Sequence, residues 1–198
     1  MHVPPLPISK ELSGYEFADR FRYAVAIANV DIYRATTHNK GIFNGIDAVV
    51  IATGNDFRAV EAGGHSYAAK DGSYKSLTHA EINDDQFTYT LRVPLAVGTV
   101  GGLTSLHPLA RISLEILGKP SANELMEIAA STGLANNFSA IKVLITSGIQ
   151  KGHMQLHLNN ILTSLRANAM EKEGAFHFFK EKTISFAAVQ NFIDDLRR

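Results

Sequence analysis

Lys40, Asn44 and Asp47 follow one another at steps of four and three, and Asn55 and Asp56 come shortly after in Thr53-Gly54-Asn55-Asp56. On a helix those steps put the lysine, the asparagine and the first aspartate on one face, while Ile42, Phe43, Ile46, Val49 and Val50 form an apolar face. A polar stripe alone describes any solvated surface. Here it is interleaved with Gly41, Gly45, Ala48 and Ala52, small residues that let a second backbone approach closely and that weaken a merely exposed helix. The sequence therefore predicts a buried central helix whose lysine and asparagine point at something. A second cluster, His153 and His157, is four residues apart and also shares a helix face. Two such histidines suit a metal, but position 154 is methionine, so the glutamate of a zinc-protease H-E-x-x-H is absent. A histidine near neutral pH also suits a proton donor.

The elements that would position these residues follow from periodicity and caps. Tyr15 to Asn29 reads as an amphipathic helix with Ser13 as candidate cap, and the central helix is expected to start at Thr36 or Thr37 and close at Gly54. Asp56 suits the cap of a helix from Phe57 to Ala69, in which case backbone amides occupy its carboxylate. Tyr74 to Thr78 and Gln86 to Pro94 read as a β-hairpin around Asn83-Asp84-Asp85. The glycines of Val97 to Thr104 have neither dinucleotide-fingerprint spacing nor a P-loop lysine and are read as a tight turn. Pro108 opens a helix to Leu117, and Ser121 with Glu124 forms a capping box for the next, which is expected to break near Gly133 and resume from Phe138 to Thr146. From about Gly148 a small helical appendage follows, hinged at Gly148 or Gly152, with Thr183 or Ser185 capping its last helix. The expected architecture is α+β and helix-rich, with residues 1–147 as one domain and 148–198 as a flap.

Composition bounds the function. Lysine plus arginine and aspartate plus glutamate number 19 each, so no basic excess points to nucleic acid. With no cysteine there is no disulfide, thiolate zinc site or cysteine nucleophile. The Pro-rich opening lacks signal-peptide character, and no apolar run reads as bilayer-spanning, so the expected location is cytoplasmic.

Set side by side, Tyr33 to Asp47, Ala52 to Gly63, Val97 to Gly102, His107 to Ala110 and Gly148 to Met154 resemble bacterial, soluble-class 3-hydroxy-3-methylglutaryl-coenzyme A reductases. The resemblance implies reductive deacylation in two hydride steps: thioester to hemithioacetal, loss of the coenzyme A thiol, then reduction of the aldehyde to mevalonate. It assigns Lys40 to the developing alkoxide, Asp56 to tuning that lysine, His153 to protonating the departing thiolate, and Arg34, Asn44 and His157 to the substrate. It also implies NADH or NADPH as cofactor and a homo-oligomer that binds substrate at its interface, while the expected site holds no metal and the balanced charge points to no membrane partner.

Two departures from the family pattern stand near the site: Leu158-Asn159-Asn160 after His157, and Asn136 where glutamine is expected. The resemblance covers only the family's C-terminal half. The acyl-contacting segment with its catalytic glutamate and the nicotinamide-binding Asp-Ala-Met-Gly motif have no counterpart in this sequence. The expectation is a reductase part that is inactive without an N-terminal half. The alternatives are a non-enzymatic remnant that dimerises and binds a coenzyme A ester, and, more weakly, a metal hydrolase using His153 and His157.

Overall fold

The computed structural model describes residues 6–7, 14–84, 86–146, 149–180 and 182–197, with backbone alone for 6, 7, 105 and 149–153. They form two compact units, residues 1–145 and 146–198.

In the first unit, β1 (Leu6–Pro7) precedes α1 (Tyr15–Val30), α2 (Ile32–Ala52) and α3 (Phe57–Ala68). Then come β2 (Thr78–Asn83), β3 (Gln86–Leu91), α4 (Gly102–Leu106), α5 (Pro108–Ile116) and α6 (Ala122–Ile145). The sheet is antiparallel with order β1-β3-β2, and Thr78 pairs with Leu91 and Asn83 with Gln86. The hairpin thus exists, but its first strand is Thr78–Asn83 rather than 74–78. Ser76 N and Lys75 N instead donate to the carbonyls of Ala28 and Ala68, which ties residues 75–76 to the neighbouring helices. The brief pairing of Leu6 with Phe87 makes the sheet three-stranded.

The central helix starts earlier than expected. Asp31 caps it by accepting from the Tyr33 and Arg34 amides, whereas Thr36 and Thr37 lie inside and turn their hydroxyls onto the carbonyls of Ile32 and Arg34. For α1 the N-cap is Gly14, with no side-chain cap, and Ser13 lies outside the described residues. At the C-terminus of α2, Gly54 adopts φ +73°, and the amides of Gly54 and Asn55 return to Ile51 and Val50. This 5→2 and 6→1 pattern, with a left-handed glycine, satisfies the last carbonyls of the helix.

The break expected near Gly133 is absent, and α6 runs unbroken from Ala122 to Ile145 after the Ser121–Glu124 capping box. Gly133 is not a stop but a crossing point. A Cβ there would lie 2.7 Å from Ile46 Cγ1, and one at Gly45 would lie 2.5 Å from the Thr132 carbonyl. Two glycines facing each other let the backbones of α2 and α6 approach within a distance no side chain permits. An 18-residue window of α6 has a mean hydropathy of 1.2, so by length and composition alone the helix also passes as a membrane span. One face of it packs into the protein core: Leu125, Ala129 and Ile141 are buried, and Ala129 joins Ile42, Phe43, Ile46 and Val50 in one apolar cluster. A second cluster packs Phe21 edge-on against Phe87 and Tyr89, with ring centroids 5.3 and 5.0 Å apart. The glycine-rich stretch is also more than a turn, since Gly101 and Gly102 have positive φ and Gly102 begins α4.

The second unit holds α7 (Ile149–Ser164), α8 (Ala169–Phe178) and α9 (Phe186–Leu196) around Leu158, Leu162, Phe179, Val189 and Ile193. Asn168 and Glu171 form a capping box, and Ser185 caps α9 by accepting from Ala188. Arg197 closes this unit: it reaches both carboxylate oxygens of Glu171, at 2.7 and 3.0 Å. That contact, with the Asn168 amide, holds the Glu171 carboxyl down at about 2. Gly148 lies outside the described residues, and Gly152 is inside α7.

Candidate active site

Lys40 is solvent-exposed on the outer face of α2, whose other face is buried, beside Asn44 one turn on, which is exposed as well. With the Asn44 amide turned so that its oxygen faces the ammonium, that oxygen lies 3.3 Å from Lys40 Nζ and the amide nitrogen 3.3 Å from the Lys40 carbonyl. Beneath this pair the helix is clamped from the other side. Asn137 Nδ2 donates to the His38 carbonyl at 2.8 Å, and Asn136 Nδ2 donates to the Gly41 carbonyl at 2.6 Å. The two bonds bracket Lys40. Asn136, where the family pattern led us to expect glutamine, therefore acts on the backbone of the lysine helix.

The buried side of the same turn holds a polar network. His38, 1% exposed, shares a 2.6 Å hydrogen bond between Nε2 and Thr78 Oγ1. The Tyr89 hydroxyl donates to Asn137 Oδ1 and, at 3.2 Å, is within reach of Thr78 Oγ1. Asn39, fully buried, donates to the Lys75 carbonyl at 2.8 Å and accepts from the Leu77 amide at 3.0 Å. Burial, aided by the positive charge of Arg34, pushes the His38 imidazole down to about 3, so it is neutral at pH 7, and its Nδ1 has no hydrogen-bond partner. Arg34 is half-buried, donates to Thr37 Oγ1 at 3.2 Å, and is lowered by desolvation. Arg34 was expected at the site, whereas the roles of His38, Asn39, Thr78, Tyr89 and Asn137 escaped the sequence reading. The signal available was the His38-Asn39 pair, whose positions fall between the apolar residues rather than on the Lys40 stripe.

Asp56 is not beside Lys40. From Lys40 to the end of α2 at Ala52 the helix rises about 18 Å, and Asp56 lies beyond that end. It caps α3, accepting from the amides of Arg58 at 3.0 Å and Ala59 at 3.4 Å, and it also meets the Arg58 guanidinium at 3.3 Å. The guanidinium and then the amides keep its carboxyl below the usual carboxylate range. The preceding Asn55 exchanges two hydrogen bonds with Gly98, at 2.7 and 3.0 Å, and so fixes the loop before α4. Around this end the surface is apolar: Ile51, Leu103, Leu106, Leu109 and Ile116 are all exposed. Asp47 follows another course, its carboxyl raised to about 6 by burial and by the neighbouring Glu61.

His153 and His157 both lie in α7, where His157 is exposed and the side chain of His153 falls outside the described residues. Among the described residues no group of three or more histidines or carboxylates is placed to hold a metal ion. A cavity of about 540 Å³ lies along β3 and α6, lined by residues such as Leu91, Val93, Met126 and Leu134, but not by Arg34, Lys40, Asn44 or Asp56.

Known proteins place this helix-rich α+β chain in one family. The structure of the class II 3-hydroxy-3-methylglutaryl-CoA reductase from Streptococcus pneumoniae, bound to NADPH in open conformations, matches 96% of this chain and 46% of its own, with 40% identity and a TM-score of 0.67. A curated 3-hydroxy-3-methylglutaryl-coenzyme A reductase from Archaeoglobus fulgidus is 52% identical over 151 residues, 76% of this chain and 34% of that protein. A probable one from Borreliella burgdorferi is 43% identical over 153 residues, 77% and 36% respectively. The family model for hydroxymethylglutaryl-coenzyme A reductase matches residues 7–158, and the chain belongs to that family. It spans about a third of the length of these curated relatives.

Proposed function

We propose that this chain supplies the lysine-bearing part of a hydroxymethylglutaryl-CoA reductase site, acting in the interconversion of HMG-CoA and mevalonate in the cytoplasm. The observation that carries the reading is Lys40 itself: a solvent-facing ammonium beside Asn44, on a helix turn whose backbone is fixed by Asn136 and Asn137. An ammonium on a preorganised frame stabilises the alkoxide that forms as hydride reaches the thioester carbon, and it does so without reorganising. Asn44 orients the ammonium. Arg34 offers a planar fork for the acyl carboxylate, and its partial desolvation strengthens such a contact. His153, with His157 nearby on the C-terminal flap, gives a proton to the coenzyme A thiolate. NADH or NADPH supplies the hydride when bound. We assign it no site among the described residues.

Asp56 enters through a second copy of the chain. It lies beyond the far end of α2 from Lys40 and is bordered by the exposed apolar surface of α4 and α5, which suits an interface. In that homo-oligomer the Asp56 carboxylate of one protomer meets the Lys40 ammonium of its partner and keeps it charged. The domain assignment belongs to the same reading: residues 1–147 carry substrate contacts and 148–198 form the closing flap. The remaining reductase segments, including the catalytic glutamate, are supplied by the N-terminal half of the family fold.

The alternative is a dimerising domain that holds a coenzyme A ester without reducing it, favoured by the distance between Lys40 and Asp56 within one chain. Nicotinamide oxidation with HMG-CoA separates the two. Turnover by this chain mixed with a family N-terminal half, lost in Lys40→Ala, supports the reductase reading. A folded, associated mixture with no turnover leaves the binding domain.

A further inference from the structure

A cavity of about 370 Å³ opens where the segment after α3 meets the hairpin, away from the Lys40 stripe. Its lining includes Lys70, Lys75 and Arg92, opposed by one carboxylate, Asp71. His79, at the rim, is turned toward Glu81 at 3.6 Å. Among the described residues, four arginines have carboxylate partners, namely Arg20, Arg22, Arg58 and Arg197. Arg92 and Lys75 have none, and Lys70 is held over the Tyr67 ring with Nζ 3.8 Å from its centroid. Lys70, Lys75 and Arg92 thus share one concavity with a single carboxylate, in a chain whose acidic and basic residues are equal in number.

The cations are also anchored at their backbones. The Lys75 amide donates to the Ala68 carbonyl at 3.0 Å, its carbonyl accepts from Asn39 at 2.8 Å, and the Arg92 amide donates to the Leu77 carbonyl at 2.9 Å. A dianion with three or more acceptor oxygens can meet several such donors at once. We propose that this cavity binds a phosphate monoester, with Lys75 and Arg92 gripping the phosphoryl oxygens and Lys70 delivered from the Tyr67 ring. The site stands apart from the reductase reading and needs no turnover to be tested.

The test is titration of the ¹⁵N-labelled full chain with inorganic phosphate and, separately, with AMP. The expected result is saturable shifts of the Lys75, Ser76 and Arg92 amides, with affinity in the millimolar range or tighter. Loss of a charge-assisted hydrogen bond in Lys75→Gln or Arg92→Gln weakens binding about tenfold. Arg20→Gln, which removes an equal charge elsewhere, leaves binding unchanged. Tighter binding of AMP than of phosphate identifies a nucleotide as the source of the phosphoryl group, and equal binding identifies recognition of the phosphoryl group alone. Absence of saturable shifts with both probes overturns the proposal, as does unchanged affinity in a Lys75→Gln/Arg92→Gln double variant with native amide dispersion.

Discussion

Asn136 donates from Nδ2 to the main-chain oxygen of Gly41 at 2.6 Å and so fixes α2 one residue past Lys40. The helix that carries the proposed electrophile is positioned by an amide from a helix far along the chain. Asn136→Ala frees that carbonyl and lets Lys40 shift. In a reconstituted reductase assay kcat is expected to fall about tenfold with little change in KM, because misplacement of a charged group acts on the transition state. A change in KM alone would contradict the positioning role.

The glycine contact between α2 and α6 sets a stability prediction. Gly45→Ala places a methyl group 2.5 Å from the Thr132 carbonyl, which is main chain and cannot swing aside. Overpacking of this kind costs about 1–3 kcal/mol, read as a lower urea midpoint with an unchanged slope. Gly63→Ala, where a Cβ meets nothing within 4 Å, is the control and is expected to match or exceed wild type.

His38 gives the fold an acid limb. Its folded value of about 3 lies below the ordinary 6.5, so the unfolded chain takes up the proton first. The stability it contributes is complete above pH 6.5 and is lost progressively as pH falls from there toward 3. Urea titrations of His38→Gln across that window are expected to show a shallower loss than wild type. Equal slopes would mean that the imidazole is not held neutral.

Asp47 acts in the opposite direction. Burial first, and then Glu61, raise its carboxyl from 3.8 to about 6, so the folded state binds the proton more tightly than the unfolded one. Its contribution is present below about pH 4 and is lost as pH rises through 6. Asp47→Asn, which imitates the protonated form, is expected to be more stable than wild type above pH 6, on the order of 1 kcal/mol after solvent screening. A less stable variant at pH 7 would show that the carboxylate is needed charged.

In the second unit, Arg197→Ala removes both bonds to Glu171 and the tie from α9 to the start of α8. Faster hydrogen exchange across Phe186–Leu196, with α2 and α6 unaffected, is the expected readout. Unchanged exchange in α9 would contradict the anchoring role.

What the sequence made legible was local. The apolar period of α2, the left-handed Gly54 at its end and the Ser121–Glu124 and Ser185 caps depend on residues within one or two turns, and all appear in the structure. Apart from the Asp31 cap of α2, which is local, the errors came from contacts distant in sequence. Gly133 looked like a stop because its reason for being small is Gly45 and Ile46, nearly ninety positions earlier. Residues 74–77 looked like a strand, but the Ala28 and Ala68 carbonyls take up the Ser76 and Lys75 amides. In the candidate site the Lys40–Asn44 pairing followed from helical spacing. The His38–Thr78–Tyr89–Asn137 network did not, since its members come from α2, β2, β3 and α6 and meet only on folding.

We propose that Lys40 drives reduction of a coenzyme A thioester. The most direct test is nicotinamide absorbance with HMG-CoA, for this chain alone, for the chain mixed with a family N-terminal half, and for the same mixture carrying Lys40→Ala. Oxidation in the mixture that disappears with Lys40→Ala is the predicted result. No oxidation in a mixture whose halves are folded and associated, or undiminished oxidation with Lys40→Ala, would contradict it.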